Sequence, residues 1–174
     1  MSRAFVKEND AGEPPIIPPR AALPPGATNY VTPNGLELLR AELSSLEDER
    51  AKVEANHEDE ADRTRRLTIL NAQLNALTQR LSSAKVIDPR TQPADEVRFG
   101  ATVTLLTRSG GHPGTKRTFT IVGVDEASVA AGKVAFVAPI ARVVIGARVG
   151  QTVKLHMGGK EETMELVALS YESA

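Results

Sequence analysis

The chain contains no cysteine and no tryptophan, and only 3% of its 174 residues are aromatic. Without cysteine there are no disulfides and no thiolate metal sites, and the cytoplasm is the expected location. The aromatics Phe5, Tyr30, Phe99, Phe119, Phe136 and Tyr171 are too few for a base-stacking platform or an aromatic-lined pocket. A formal net charge of -1 gives no global attraction to nucleic acid or to a membrane surface. No apolar run approaches the length of a bilayer span, and the N-terminus from Met1 to Glu8 lacks the apolar core of a secretory signal. His57, His112 and His156 have no spacing that sets two of them on one helix face. No motif places a Ser-His-Asp grouping, and Gly110-Gly111 stands without the rest of a phosphate loop. The chain is therefore not expected to be an enzyme in its own right.

What is present falls into four stretches. Residues 1–28 hold Pro14, Pro15, Pro18, Pro19, Pro24 and Pro25, which remove backbone donors and forbid helix, so a disordered or extended tail is expected. Residues 29–88 carry two leucine stripes. Leu67, Leu70, Leu74, Leu77, Leu81 and Ala84 recur at alternating intervals of three and four, while Leu36, Leu39, Leu43 and Leu46 do the same before Arg50 interrupts and Val53 resumes. That spacing keeps a narrow apolar stripe facing a partner helix. Thr32 can cap the first arm with Pro33 at its first helical position, and Asn56 or Asp59 can cap a second arm that runs to Lys85. Two arms joined by a polar break pair most simply as an antiparallel hairpin within one chain, and a monomer is expected; a single long helix that dimerises is the other reading. Residues 89–96 form a linker. Beyond them, in residues 97–174, alternation replaces helical periodicity. Strands are expected around Val97–Leu105, Phe119–Ile121, Val134–Phe136, Val153–Leu155 and Met164–Leu169, with turns at 110–114 and 157–160 and a short helix over Pro139–Gly146. The expected fold is α+β: a coiled-coil hairpin followed by a small antiparallel β domain with one short helix.

Chemistry concentrates at the bend of the hairpin. Glu58, Asp59, Glu60 and Asp62 gather potential anions there, and Arg63, Arg65 and Arg66 follow at once. Carboxylates on the end of a stiff rod can contribute oxygen ligands to a hard divalent ion, and the arginines behind them can hold a phosphate backbone. The same residues can equally cap the second helix and pair with one another at i, i+3 and i, i+4. The residues alone leave both readings open.

Several blocks, in their order, resemble the Gre transcription elongation factors of bacterial RNA polymerase. Asn29-Tyr30-Val31-Thr32-Pro33-Asn34-Gly35 resembles the family's lead-in to its first helix, and Arg80 to Asp88 its exit from the second. Phe99-Gly100-Ala101-Thr102-Val103 and Ile121 to Ala127 resemble the opening strands of its C-terminal domain, and Pro139-Ile140-Ala141-Arg142 with Ile145-Gly146 its polymerase-contacting segment. The resemblance implies an FKBP-like second half that docks on the rim of the polymerase's secondary channel through Pro139, Ile140, Ala141 and Arg142. The hairpin would then enter the channel. Tip acids, here Asp59 and Glu60 by position at the turn, would help hold a Mg²⁺ shared with the polymerase active centre, so that the polymerase cleaves its own backtracked RNA. Arg63, Arg65 and Arg66 would lie near the nascent RNA. No cofactor of its own is implied.

The chain also departs from that family. The tip lacks the family's Gly-Asp-Leu-Ser-Glu-Asn-Ala-like loop. Between matched blocks the hairpin is shorter by roughly seven or eight residues, about one turn per arm or ~6 Å of reach. Val137 stands where relatives often carry a polar or acidic residue. A Rnk-like regulator that occupies the channel without promoting cleavage is thus the alternative. A prolyl isomerase or chaperone role for the FKBP-like domain would need an aromatic-lined pocket, and residues 97–174 offer only Phe99, Phe119, Phe136 and Tyr171.

Overall fold

The computed structural model describes residues 13–172. The first twelve residues of the expected tail, and the last two of the expected β domain, lie outside the described residues. The order of elements is β1 (Asn29–Val31), α1 (Pro33–Ala55), α2 (Glu60–Ser83), β2 (Ala84–Val86), a 3₁₀ turn (Pro89–Thr91), β3 (Ala101–Ser109), β4 (Lys116–Val122), β5 (Lys133–Ala135), α3 (Pro139–Val144), β6 (Thr152–Met157) and β7 (Lys160–Tyr171).

The two arms fold back on each other within one chain. Thr32 caps α1 by accepting a hydrogen bond from the Gly35 amide at 2.9 Å, with Pro33 in the first turn. At ~1.5 Å per residue, the 23 residues of α1 and 24 of α2 each make a rod about 35 Å long. Leu39 and Val53 of α1 and Leu70, Leu74 and Leu77 of α2 are buried, with Leu36, Leu43, Leu46 and Leu81 packed at the margin of the seam. Arg50, at the interruption of the stripe, stays partly exposed and lies 3.8 Å from Glu54.

The base of the hairpin differs from the expected helix to Lys85. α2 stops at Ser83, and Ala84, Lys85 and Val86 pair in parallel with Asn29, Tyr30 and Val31. The two ends of the hairpin are thereby tied together in a two-stranded clip, extended by the Ile87 amide donating to the Val31 carbonyl at 2.9 Å.

The β domain is a five-stranded sheet of order β5-β4-β3-β7-β6. It is mixed rather than antiparallel throughout, because β5 runs parallel to β4. On β3 the alternation is clean: Ala101, Val103, Leu105 and Thr107 point into the core and their neighbours do not. Val97 belongs to the same core but precedes the strand, since the chain turns at Gly100, whose φ of 88° breaks the extended run. The core also takes Ile121, Leu155, Met164 and Leu166 from the sheet, with Ala141 and Val144 from α3.

Candidate functional site

The bend of the hairpin is short. α1 ends at Ala55, Asn56 caps it, and α2 begins at Glu60. Asp59 is the N-cap of α2: its Oδ1 accepts from the amides of Ala61 and Asp62, each at 3.0 Å, while its Oδ2 makes no hydrogen bond with a described residue. The Asn56 side chain accepts from the Glu58 amide at 3.0 Å and fixes the loop as an Asx turn. The carboxylate of Glu58 has no hydrogen-bond or ion-pair partner among the described residues, and the same holds for Asp62. Glu60 is more constrained, with one oxygen 3.2 Å from His57 Nδ1 and the other 3.2 Å from the Arg63 guanidinium. The His57 hydrogen bond, with Arg63 behind it, holds the Glu60 carboxyl below its ordinary value.

The arginines divide in the same way. Arg63 donates through Nε and Nη2 to the Glu54 carbonyl, at 3.2 and 3.1 Å, and so closes the last turn of α1 from the opposite arm. Arg66 lies 3.8 Å from Glu49 across the hairpin. Arg65 is exposed and pairs with no described residue. A shallow concavity of about 120 Å³ at the bend is lined by Asn56, Glu58, Asp59, Asp62, Arg63 and Arg66. Among the described residues, no group of three or more His, Asp or Glu side chains could hold a metal ion. A rod end with two free carboxylates and one free Asp59 oxygen can supply one or two ligands to an ion held elsewhere, as Mg²⁺ sites built partly on phosphates and water require.

The Pro139–Arg142 segment is the first turn of α3. Pro139 and Arg142 are exposed, Ile140 is half-buried, and Ala141 is fully buried beneath the sheet. The helix therefore offers Pro139, Arg142 and the partly exposed Ile145 outward, and uses Ala141 and Val144 to seat itself. Arg142 makes no ion pair with a described residue.

Between tip and α3 lies a joint that no periodicity signalled. Glu126, 7% exposed, accepts from Thr32 Oγ1 at 2.5 Å, Asn34 Nδ2 at 2.8 Å and Lys133 Nζ at 3.1 Å. The residue that caps α1 is thus hooked to the β domain. Tyr30, Phe99 and Phe136 meet with ring centroids 5.5–5.8 Å apart, two of the pairs edge to face. Gly123 has no side chain because the Tyr30 carbonyl passes where one would be: a Cβ there would stand 2.6 Å from it. At Gly35 a Cβ would come 2.8 Å from Glu126 Oε2. Asn29 donates to the Arg80 carbonyl at 2.9 Å, and Arg80 Nη1 donates to Asp125 at 2.8 Å. Four of the sequence blocks quoted above, from Asn29–Gly35 to Ile121–Ala127, converge here.

Comparison with known proteins decides what the arrangement belongs to. Residues 92–171 match the family model described as "Transcription elongation factor, GreA/GreB, C-term". The chain is 34% identical over 157 residues to the transcription elongation factor GreB of Neisseria meningitidis, covering 82% of this chain and 94% of that one. The chain belongs to the GreA/GreB family. It is also 32% identical over 154 residues to GreA of Acidiphilium cryptum, across 81% of this chain and 96% of that protein. Among solved structures, a GreA/GreB factor from Nitrosomonas europaea covers 83% of this chain at 16% identity with a TM-score of 0.40. GreA factor homolog 1 of Thermus thermophilus covers the same share at 18% identity with a TM-score of 0.38. Membership rests on the sequence matches. As a GreA/GreB-family chain it is α+β, with a helical hairpin ahead of the C-terminal β domain. No helix among its described residues is long and apolar enough to cross a membrane.

Proposed function

We propose that this chain binds RNA polymerase as a Gre-type elongation factor and stimulates cleavage of backtracked transcripts. In this reading the β domain docks at the rim of the secondary channel through the outward face of α3, with Pro139 and Arg142 in contact and Ala141 serving the fold. The hairpin then enters the channel. The observation that carries it is the hydrogen-bonded joint that ties the β domain to a hairpin whose end bears free carboxylate oxygens, within a chain of the GreA/GreB family.

The residues fit Mg²⁺ as a partial donor set only. Asp59 Oδ2 and the Glu58 and Asp62 carboxylates are the available ligands, whereas Glu60 would first have to release His57 or Arg63. Bound between this tip and the polymerase, the ion would polarise a phosphodiester and lower the pKa of a coordinated water. The chain's own part is positional. Capping bonds fix the Asp59 carboxylate against the end of α2, and Arg63 locks the two arms so that the tip does not splay. Arg65 and Arg66 stand behind the acids, where they can meet the phosphates of the displaced RNA 3′ end.

Two features favour the second reading, in which the factor fills the channel without promoting cleavage: the shorter hairpin, and the engagement of both Glu60 oxygens. One assay separates the readings. A cognate elongation complex is stalled in a backtracked register and incubated with the protein, and RNA length is followed. Shortened RNA with wild type that is lost in a Glu58→Gln/Asp59→Asn variant supports cleavage. Unshortened RNA, together with displacement of a cleavage-competent Gre factor, supports occupancy alone.

A further inference from the structure

The proline-rich tail, expected to be disordered or extended, makes a tertiary contact in its described part. From Ile17 to Ala21 it lies along a groove of about 520 Å³ formed with α1, α2 and the Val124–Ala127 segment of the β domain. Its approach is built. Ala27 donates to the Pro24 carbonyl at 3.0 Å and Gly26 takes a φ of 77°, a type II turn that reverses the chain into β1. Pro18 and Pro19 restrict the segment before Arg20, which lowers the entropy lost on docking.

Arg20 reaches two bodies with one guanidinium. Its Nη1 donates to Asp125 Oδ1 of the β domain at 2.8 Å, and its Nη2 donates to Glu42 of α1. Asp125 Oδ2 is held by Arg80 of α2, and Arg80 in turn donates through Nη2 to the Ala21 carbonyl of the tail at 2.5 Å. The ring Arg20–Asp125–Arg80–Ala21 closes on itself, with side-chain exposures of only 18%, 8% and 12% for its three charged members. Burial opposes the charge on Arg20, yet its hydrogen bonds to Glu42 and Asp125 outweigh that and hold its ionisation above the ordinary value.

The tail's docking site exists only while hairpin and β domain keep this mutual position, because Asp125 comes from one and Arg80 and Glu42 from the other. A segment that binds one arrangement and not another stabilises the one it binds. We infer that residues 17–21 are an intramolecular strap and that Arg20 is a positioning residue that sets the angle of the hairpin on the β domain. The inference concerns the joint alone and stands whether or not the tip supports cleavage.

The chain has no cysteine, so paired spin labels can be placed without background. Labels on Thr68→Cys in α2 and Thr152→Cys in β6 report the angle between the bodies, and labels on Thr152→Cys and Ser170→Cys report the β domain alone. In the full-length chain the interdomain distance should be single and narrow. Arg20→Ala should broaden it with loss of the single maximum, while the distance within the β domain keeps its width. Arg20→Lys retains the charge but not the fork that spans two carboxylates, so its distribution should lie between the two. An unchanged interdomain distance in Arg20→Ala, or equal broadening within the β domain, would overturn the inference.

Discussion

Asp59 caps α2 and, in the proposed function, also serves the tip, and a single pair of substitutions separates these roles. Asn caps a helix about as well as Asp, whereas Ala loses ~1 kcal/mol of capping. Asp59→Asn should therefore leave the urea midpoint nearly unchanged while removing the negative charge of a residue that lines the tip concavity, and Asp59→Ala should lower both stability and any tip-dependent activity. The measurement is urea denaturation beside transcript cleavage; an Asp59→Asn protein as unstable as Asp59→Ala would deny the capping role. Tyr171 poses a different question. Its hydroxyl donates to the Glu96 carbonyl at 2.5 Å and accepts from the Arg98 amide at 2.9 Å. Burial raises its pKa above the ordinary 10.0. A group whose folded pKa is raised adds stability in full below its unfolded pKa and loses it as pH climbs through the folded value. Stability should thus be flat for this group up to about pH 10 and fall above it. Tyr171→Phe should cost ~1 kcal/mol at neutral pH and reduce that alkaline loss, as read by denaturation across pH 8–12 and by phenolate absorbance.

The elements differ in how visibly they are written. The arms of the hairpin are spelled out by leucines three and four apart, and Leu70, Leu74 and Leu77 are all buried. Leu77, fully buried at the base of the seam, should cost ~2–5 kcal/mol as Leu77→Ala, with a smaller effect for the half-buried Leu67; thermal melts of the two variants check the ranking. β3 is equally legible because one face is buried and the other is not. The three-residue strands β1 and β2 are too short to show a period, so the clip could not be read. β5 overlaps the strand expected at Val134–Phe136, but its parallel pairing with β4, which makes the sheet mixed, leaves no mark on the alternation. The joint was invisible for another reason. Glu126 finds Thr32 from 94 positions away and Arg20 finds Asp125 across 105, and such pairings leave no local trace. α3 shows what a motif alone leaves unsaid: its four quoted residues read alike, yet only the structure separates the buried Ala141 from the exposed Arg142. Arg142→Glu should weaken polymerase binding by at least several-fold with an unchanged melting curve. Ala141→Asp should unfold the domain instead, because it buries an unpaired charge. Binding by fluorescence anisotropy beside a thermal melt distinguishes the two outcomes.

At the scale of the whole molecule, the chain is a rod, a platform and the fastening between them. Leucine packing stiffens the rod, α3 gives the platform its outward face, and Asp125 with Glu126 ties the base of the rod to the sheet through Arg20, Arg80, Thr32, Asn34 and Lys133. Rigidity matters to the proposal because a hairpin that bends or splays does not carry the tip carboxylates to one fixed place. The proposal therefore depends on where the tip comes to rest. A photoactivatable cross-linker on His57→Cys, exposed in the bend, reports that place directly in a backtracked elongation complex. Cross-links to the RNA 3′ segment or to the catalytic loops of the polymerase are the predicted result. Cross-links confined to the outer wall of the channel, with the protein demonstrably bound, would contradict it.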